Sequence, residues 1–309
     1  MMEDYPRTLL ELEQRFSTDD ACREYLFALR WPEGFVCLRC GGRRAWPMGR
    51  KLWLCSGCRH QTSLTAGTIF QNTRLPLTVW FRAIWQVTSQ KNGISALGLQ
   101  RVLGLGSYKT AWAMLHKLRR AMVRPGRDRL RGLVEVDETY WGAEEAGVVG
   151  RLTQDKALII VGAEEDGQGI GRIRMRSIPD LTKNSLHGFI AQAVEPGSTV
   201  RTDGLKAYLG MEGYVHDRQV QRNQPKGEHL LPRVHRVVSL LKRWLMGTHQ
   251  GSVGPDHLDC YLDEFTFRFN RRKSASRGKL FYRLIQHAMQ VEPAPFQTLI
   301  HPNRLSMVE

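Results

Sequence analysis

The chain has 309 residues, and its 45 lysine and arginine residues against 30 aspartate and glutamate residues give a net charge of +15. An excess of this size predicts a polyanionic partner, and nucleic acid is favoured over an anionic membrane. The longest apolar run, residues 157–163, is far shorter than the roughly 20 residues that cross a bilayer. The N-terminus has no basic segment followed by an apolar one, so we expect no signal peptide, no membrane association and a cytoplasmic, nucleoid-associated protein.

The length is sufficient for two or three domains. The N-terminal helical segment, residues 1–30, contains a predicted helix at residues 17–30. Ser17 or Thr18 can accept a hydrogen bond as its N-cap, acidic residues follow in the first turn, and apolar residues recur at helical spacing.

Four of the six cysteines form two C-x2-C pairs that are separated by fourteen residues. They are Cys37, Cys40, Cys55 and Cys58. The segment between the pairs reads as a hairpin, and two such knuckles on a hairpin place four thiolates at tetrahedral positions that suit structural Zn²⁺. Gly41 lets the backbone curl so that its N–H groups face the sulfurs. Free thiols or two disulfides are the alternatives, and a reducing compartment disfavours disulfides. We therefore predict a zinc ribbon at residues 31–70, with His60 on its surface.

The sequence pattern of residues 76–124 predicts three helices. A glycine-containing turn separates the second helix from the third. This order is typical of a helix-turn-helix-like DNA-binding region. Nine lysine and arginine residues and a single acid lie between Arg101 and Arg131. A solvated basic face is the alternative to a DNA-binding surface. The candidate DNA contacts of this region are Lys109, Lys117, Arg119 and Arg120.

Beyond a basic linker at residues 123–132, strands and helices alternate. The predicted strands are residues 133–137, 156–165, 171–178, 198–204 and 214–220, and the predicted helices are residues 182–194, 234–246 and 256–270. This order predicts a mixed α/β sheet with helices against its faces, in a domain at residues 130–275. A basic helical tail, residues 276–309, completes the chain.

Two aspartates of this domain are predicted to lie at strand ends, where ligands of α/β sheets gather. Asp137 lies in the segment VEVDETYWG, and Asp203 lies in VRTDGLKAY. If their strands are neighbours, the two carboxylates meet, and they stay ionised together only beside a cation such as Mg²⁺. A strand-end acid and an Asp-Gly turn are the alternatives. Glu135 shares the face of Asp137 and Glu138 points the other way, so both are interpreted as supporting or exposed residues.

Seven segments in this order give the chain a specific resemblance over about residues 17–273. They are EGFVCLRCGG, CSGCRHQTSLTAGTIF, SYKTAWAMLHKLRRAM, VEVDETYWG, VRTDGLKAY, VVSLLKRWLMGTHQG and YLDEFTFRFNRR. The chain resembles bacterial insertion-sequence transposases that pair an N-terminal zinc ribbon with a ribonuclease H-like DDE-type domain. The resemblance implies a multi-domain fold, in which the zinc ribbon and the helix-turn-helix-like helices precede an α/β ribonuclease H-like catalytic domain.

The resemblance also implies a set of catalytic residues. The first two metal-binding acids of the family match Asp137 and Asp203. The third position lies seven residues before the lysine of LKR, which here is Lys242, and it is occupied by His235. Most such transposases carry Glu there, and some groups carry Asn or His, so the resemblance implies a DDH variant or an inactive copy. Two helical turns separate His235 from Lys242, so the two share a face.

Other residues remain open as the third ligand of the Mg²⁺ or Mn²⁺. Glu264 is a candidate, although its interpretation as a partner of Arg268, four residues on, is favoured. Glu228 is a further candidate. His216 is interpreted as an ordinary strand-end histidine.

The implied reaction is metal-dependent phosphoryl transfer, in which a water nicks the strand at the element's ends and a 3′-hydroxyl joins it to target DNA. The implied partners are double-stranded DNA, at the terminal inverted repeats and at the target, and further copies of the chain assembled on that DNA. We expect Lys242, Arg243, Arg271 and Arg272 to contact DNA. A non-catalytic zinc-ribbon and helix-turn-helix regulator is the main rival, but it gives no reason for Asp137 and Asp203. A decayed transposase that binds without cutting is the second rival.

Overall fold

The structure is a computed structural model that describes residues 3–124, 126–142, 156–220 and 230–301. The chain forms two compact units, residues 1–124 with 274–309 and residues 125–273. Within the described ranges, every helix is too short or too polar to cross a membrane.

The described helices and strands follow one another along both units. In chain order they are α1 (Leu9–Arg15), α2 (Asp19–Arg30), β1 (Ala45–Met48), β2 (Leu52–Cys55), β3 (Gln61–Ser63), α3 (Leu77–Ser89), α4 (Ala96–Leu103), α5 (Tyr108–Met122), β4 (Leu133–Trp141), β5 (Ala157–Asp166), β6 (Gly169–Ile178), α6 (Lys183–Ala193), β7 (Thr199–Thr202), β8 (Val215–Arg218), α7 (Pro232–His249), α8 (Leu258–Asn270), α9 (Arg277–Ala288) and α10 (Phe296–Ile300). Short 3₁₀ turns lie at Gly49–Lys51, Lys206–Tyr208 and Pro255–His257.

The first unit begins with the predicted N-terminal helix. Thr18 is the N-cap of α2, since its hydroxyl accepts a hydrogen bond from the backbone N–H of Ala21 at 3.2 Å. The zinc ribbon follows as a three-stranded antiparallel sheet in the order β1-β2-β3, so the predicted hairpin gains a third strand.

The three predicted helices of residues 76–124 are α3, α4 and α5. Ser95 caps α4 by accepting from the backbone N–H of Gly98, and Gly104 ends it in the left-handed region at φ +61°. The turn between Gly104 and Ser107 then leads into α5, as the helix-turn-helix pattern predicts.

The predicted C-terminal tail is in part a core helix of the first unit. Phe281 of α9 is fully buried, and its ring centroid lies 5.7 Å from that of Phe81 in α3. Phe81 in turn packs edge-on against Phe16 at 4.7 Å. The apolar stripe of α9 therefore belongs to the core that also holds α3.

The second unit contains the predicted mixed sheet. Its strand order is β6-β5-β4-β7-β8, with β4 antiparallel to β5 and parallel to β7. Alternate residues of β5 face opposite layers: Ile159 and Val161 pack with α7 and α8, whereas Leu158 and Ile160 pack with α6. A sheet covered by helices on both faces confirms the predicted mixed α/β sheet with helices against its faces.

Strand β4 is longer than predicted and ends at Trp141, so Asp137 lies inside it, opposite Val161 of β5. On its other side, β4 pairs with β7 only from Leu133 to Glu135. The prediction that Asp137 ends its own strand was therefore wrong, because the hairpin partner β5 continues the pairing beyond the end of β7. Asp137 lies instead where the neighbouring strand β7 ends.

Candidate metal sites and DNA-contacting surface

The four predicted cysteines form a compact sulfur cluster. Sγ of Cys37 lies 3.6 Å from Sγ of Cys58, and Sγ of Cys40 lies 3.5 Å from Sγ of Cys55. All four sulfurs lie within 4.8 Å of one another, and no other group of three or more potential ligands in the described part of the chain meets that limit. Zinc bonds of about 2.3 Å in a tetrahedron place sulfurs roughly 3.8 Å apart, so the cluster fits one structural Zn²⁺.

The two knuckles share one backbone design. The N–H of Gly41 donates to the carbonyl of Cys37, and the N–H of Arg59 donates to that of Cys55. Both donors have left-handed backbones, with φ of +72° at Gly41 and +59° at Arg59. The predicted role of Gly41 is therefore confirmed, and Arg59 occupies the equivalent position in the second knuckle. The backbone carbonyl of His60 closes the second knuckle by accepting from Cys55 N.

Backbone N–H groups aimed at the sulfurs favour the thiolate form. The N–H groups of Cys40 and Arg39 lower the pKa of the Cys37 thiol to about 6. The N–H of Cys58 is the largest cause of a lowered pKa at Cys55. Since the thiolate is the form that binds metal, this backbone favours zinc binding at Cys37 and Cys55. At Cys40 the N–H of Gly42 acts in the same direction, but hydrogen bonds with the Cys58 and Cys55 thiols raise the pKa to about 12.

Asp137 lies on β4, and Asp203 directly follows the end of the neighbouring strand β7, so the predicted pairing of the two strands is confirmed. The last parallel pair joins Glu135 to Arg201, and each aspartate comes two residues later in the chain. Burial raises the pKa of Asp137, and the charge of Asp203 adds to that rise. The two carboxylates therefore interact electrostatically at the carboxyl end of β7.

His235 lies beside the first of these acids. Its Nε2 is 3.2 Å from Oδ2 of Asp137, although its side chain remains 49% exposed. The residue lies in the first turn of α7, a helix that packs on the same face of the sheet as Asp137. The structure thus brings together the residue pair that the resemblance implied.

The buried carboxylate of Glu135 holds the start of α7 against β4. Its Oε2 accepts from the backbone N–H groups of Arg233 and Val234 at 2.7 and 3.0 Å, and its Oε1 accepts from Nη1 of Arg233 at 3.0 Å. The first turn of a helix exposes unpaired N–H groups and a positive dipole end, and Glu135 satisfies both. The sequence analysis interpreted Glu135 as either a supporting or an exposed residue. These contacts confirm that it is a supporting residue.

Glu138 faces the opposite layer and accepts a hydrogen bond from the hydroxyl of Tyr208. Tyr208 is fully buried in the 3₁₀ turn that follows Asp203, and burial is the largest cause of its raised pKa. The contact therefore links the residue after Asp137 to the turn after Asp203. Sequence reasoning missed Tyr208, whose one signal is that it closes the segment VRTDGLKAY.

The alternative third ligands have different positions. Glu264 is buried in α8, where its Oε1 accepts from Nη2 of Arg268 at 2.7 Å, as its favoured interpretation predicts. Glu228 lies outside the described residues. His216 of β8 lies with its Nε2 2.9 Å from the hydroxyl of the buried Thr202, consistent with its interpretation as an ordinary strand residue.

The candidate DNA contacts of the second unit fall into two groups. Lys242 and Arg243 are exposed on α7. Arg271 and Arg272 lie at the C-terminal end of α8 and stack over the rings of Phe267 and Phe269, with Cζ 4.1 and 4.0 Å from the centroids. Arg272 also donates to the carbonyls of Gly171 and Ile170, so it ties α8 to β6.

The candidate DNA contacts of α5 do not share one environment. Lys109 and Arg120 are exposed, and Lys117 is half-buried. Arg119 is only 2% exposed, so the prediction that it contacts DNA was wrong. The basic count of a helix does not reveal which cation faces inward.

Comparisons with known proteins agree with this architecture. The model of an ISXO2-like transposase domain matches residues 129–270, and the model of a transposase zinc-ribbon domain matches residues 17–61. An uncharacterized protein in the transposable element ISH50 of Halobacterium salinarum is 26% identical over 283 residues, which cover 82% of this chain and 91% of that protein. The crystal structure of the catalytic core domain of BIV integrase matches with 17% identity and a TM-score of 0.32, over 47% of this chain and 88% of that chain.

The two matched regions coincide with the sulfur cluster and with the sheet that carries Asp137 and Asp203. The chain is therefore similar to transposases in two regions, a transposase zinc-ribbon domain and an ISXO2-like transposase domain.

Proposed function

We propose that the chain binds the ends of an insertion sequence, cleaves DNA strands there and joins them to target DNA by metal-dependent phosphoryl transfer. The observation that carries this proposal is the contact of His235 with Asp137 at 3.2 Å, with Asp203 directly after the end of the neighbouring parallel strand. A regulator that only binds DNA needs no such arrangement of two carboxylates and an imidazole.

Asp137, Asp203 and His235 are the residues that would hold Mg²⁺ or Mn²⁺. Two carboxylates and an imidazole are donors that suit these ions, and a cation would offset the burial and the charge of Asp203 that raise the pKa of Asp137. Their ligand atoms do not all lie within 4.8 Å of one another, so the three side chains have to move closer together to share one ion. Bound metal supplies activation of a water or a 3′-hydroxyl and stabilisation of the leaving oxygen. A neutral imidazole in place of a carboxylate favours Mn²⁺ over Mg²⁺.

The protein's own residues orient this chemistry. Glu135 fixes the start of α7 and thereby the position of His235. On the same helix, the exposed Lys242 and Arg243 are suited to bind phosphates of the strand to be cut. No covalent link between the protein and DNA is needed in this scheme.

Recognition of the element's ends is assigned to the first unit. The zinc ribbon and the helices of residues 76–124 are proposed to bind the ends, and α5 presents the exposed Lys109 and Arg120. Phosphate contacts supply most of the affinity. The active species is proposed to be a homo-oligomer on double-stranded DNA, because each of two element ends has to be held and cut.

The test is strand cleavage of a duplex that carries the element's terminal repeat, with Mg²⁺ or Mn²⁺, by the wild type and by Asp137→Asn and Asp203→Asn. Asp166→Asn is the matched control, since Asp166 is an exposed acid of the same unit, paired with Lys273. We expect the two site variants to bind but not to cut, and the control to do both. End binding without cleavage by the wild type, in either metal, would identify a decayed transposase and refute the proposed catalysis.

A further inference from the structure

A groove of about 470 Å³ lies in the first unit, outside the acid cluster and the zinc ribbon. Its walls are α5, the segment at residues 72–75 that precedes α3, and the short helix α10. Its volume lies within the roughly 300–1,000 Å³ that small-ligand sites occupy.

Three cations line this groove, and no carboxylate does. They are Arg74, Lys109 and Lys117. Lys109 and Lys117 stand eight residues apart on α5, with Ala113 between them, so they share one face of the helix. Within the described residues none of the three cations forms an ion pair, so their charge is available to a phosphate.

The floor of the groove is apolar and buried. Trp80 and Met114 are each only 2% exposed, and Nε1 of Trp80 donates to the hydroxyl of Thr73 at 2.8 Å. Phe296 of α10, in contrast, is 39% exposed and packs edge-on against Trp112 with 6.2 Å between ring centroids. An aromatic ring is thus presented to solvent beside three cations.

This combination of lining groups distinguishes between forms of nucleic acid. The backbone of a duplex offers phosphates but no apolar face, so it satisfies the cations and leaves Phe296 unused. An unpaired nucleotide offers both, because its phosphate binds cations while its base stacks on an aromatic ring.

We propose that this groove binds an unpaired nucleotide of a DNA strand, with phosphates at Arg74, Lys109 and Lys117 and the base against Phe296. The inference rests on the proposed transposase function only in taking DNA as the polymer. It gives α10 a role in holding strands that are opened near the element's ends.

The test is fluorescence anisotropy of a labelled ten-nucleotide oligothymidylate with the full-length, zinc-bound chain, without divalent catalytic metal. Phe296→Ala is expected to weaken binding by roughly five- to hundredfold, since stacking of one base on an aromatic ring supplies an affinity of this order. Phe296→Tyr is expected to retain affinity because it keeps the ring. Leu97→Ala, an exposed apolar residue of α4 that does not line the groove, is the matched control.

The three cations of the groove are tested separately, by the salt dependence of oligothymidylate binding. Arg74→Ala is expected to reduce the salt dependence of oligothymidylate binding by about 0.7 in log K against log salt, the value of one phosphate contact on a single strand. Arg7→Ala, an exposed arginine outside the groove, is expected to leave that slope unchanged.

Two results would overturn the inference. One is an unchanged oligothymidylate affinity in Phe296→Ala, and the other is an equal loss for a ten-base-pair duplex, which would make the groove a duplex-backbone surface. The assay uses neither element ends nor cleavage. A chain that binds oligothymidylate through Phe296 but never cuts would therefore refute the proposed catalysis and leave the inference standing.

Discussion

Glu135 and Arg233 join the central strand of the second unit to the first turn of α7 through a hydrogen-bonded ion pair of 3.0 Å and a backbone bond of 2.7 Å. Two residues further along each element stand Asp137 and His235, which are 3.2 Å apart. The Glu135–Arg233 pair therefore sets the position of His235 beside Asp137.

Replacement of Glu135 by Gln is expected to destabilise the protein by about 1–3 kcal/mol, because it removes the buried charge beside Arg233, which keeps only the partly exposed Glu165 at 3.0 Å, and because a neutral amide is a weaker acceptor for the N–H groups of α7. The measurement is the free energy of unfolding in urea. Asp166→Asn, at an exposed ion pair, is the control and is expected to change stability by less than about 0.5 kcal/mol. Equal stability of both variants would show that Glu135 does not anchor α7.

Replacement of Tyr208 by Phe tests the link between the two acid-bearing segments. The loss of the hydroxyl removes one hydrogen bond of Glu138, the residue after Asp137, and we expect Mn²⁺ binding and cleavage each to weaken by about 10–100-fold, as for other residues that orient metal ligands. Binding is measured by titration calorimetry and cleavage on end DNA. Tyr214→Phe is the matched control, since its hydroxyl bonds the backbone carbonyl of Val194 away from the acids. Wild-type Mn²⁺ binding by Tyr208→Phe would exclude the role.

Local patterns predict the elements of this protein well. Two C-x2-C pairs specify the knuckles because their hydrogen bonds connect residues only four or five apart, such as Gly41 to Cys37. Apolar periodicity likewise locates β4 and β7. The pairing of these two strands places Asp137 and the residue after β7, Asp203, at the same edge of the sheet.

Contacts between distant segments are not predictable in this way. The stripe of α9 shows that the helix buries one face, but not that the face packs on α3. Arg119 and Arg120 are neighbouring arginines of one helix, so residue type does not distinguish them. Only the packing around α5 decides that Arg119 is buried. Tyr208 and Glu138 lie 70 residues apart, and no periodicity connects them.

The zinc site gives a direct elemental prediction. Protein purified without added metal is expected to contain one zinc per chain, and Cys55→Ser is expected to lose it together with the fold of the ribbon, since zinc supplies folding energy to so small a module. Cys260→Ser is the control, because Cys260 lies outside the sulfur cluster. Stoichiometric zinc in a folded Cys55→Ser protein would contradict the assignment.

Adjacent arginines of α5 are expected to respond in opposite ways. Arg120→Ala removes an exposed cation, so end-DNA affinity and its salt slope should fall, the slope by about 0.9 for one duplex phosphate contact, with stability unchanged. Arg119→Ala removes a buried side chain, so stability should fall while the salt slope of the folded protein stays the same. Salt titrations of DNA binding and urea unfolding of both variants separate the two effects. An unchanged slope in Arg120→Ala would remove α5 from the DNA-contacting surface.

The most direct test of the catalytic site compares His235→Ala with Glu264→Gln in metal-dependent cleavage of end DNA, below the unfolding temperature of both. Because Nε2 of His235 lies beside Asp137 and Glu264 is paired with Arg268, we expect His235→Ala to bind ends without cutting them. Glu264→Gln is expected to be less stable but to cut at the wild-type rate. Cleavage at the wild-type rate by His235→Ala, with none by Glu264→Gln, would make Glu264 the third ligand and contradict the site described by Asp137, Asp203 and His235.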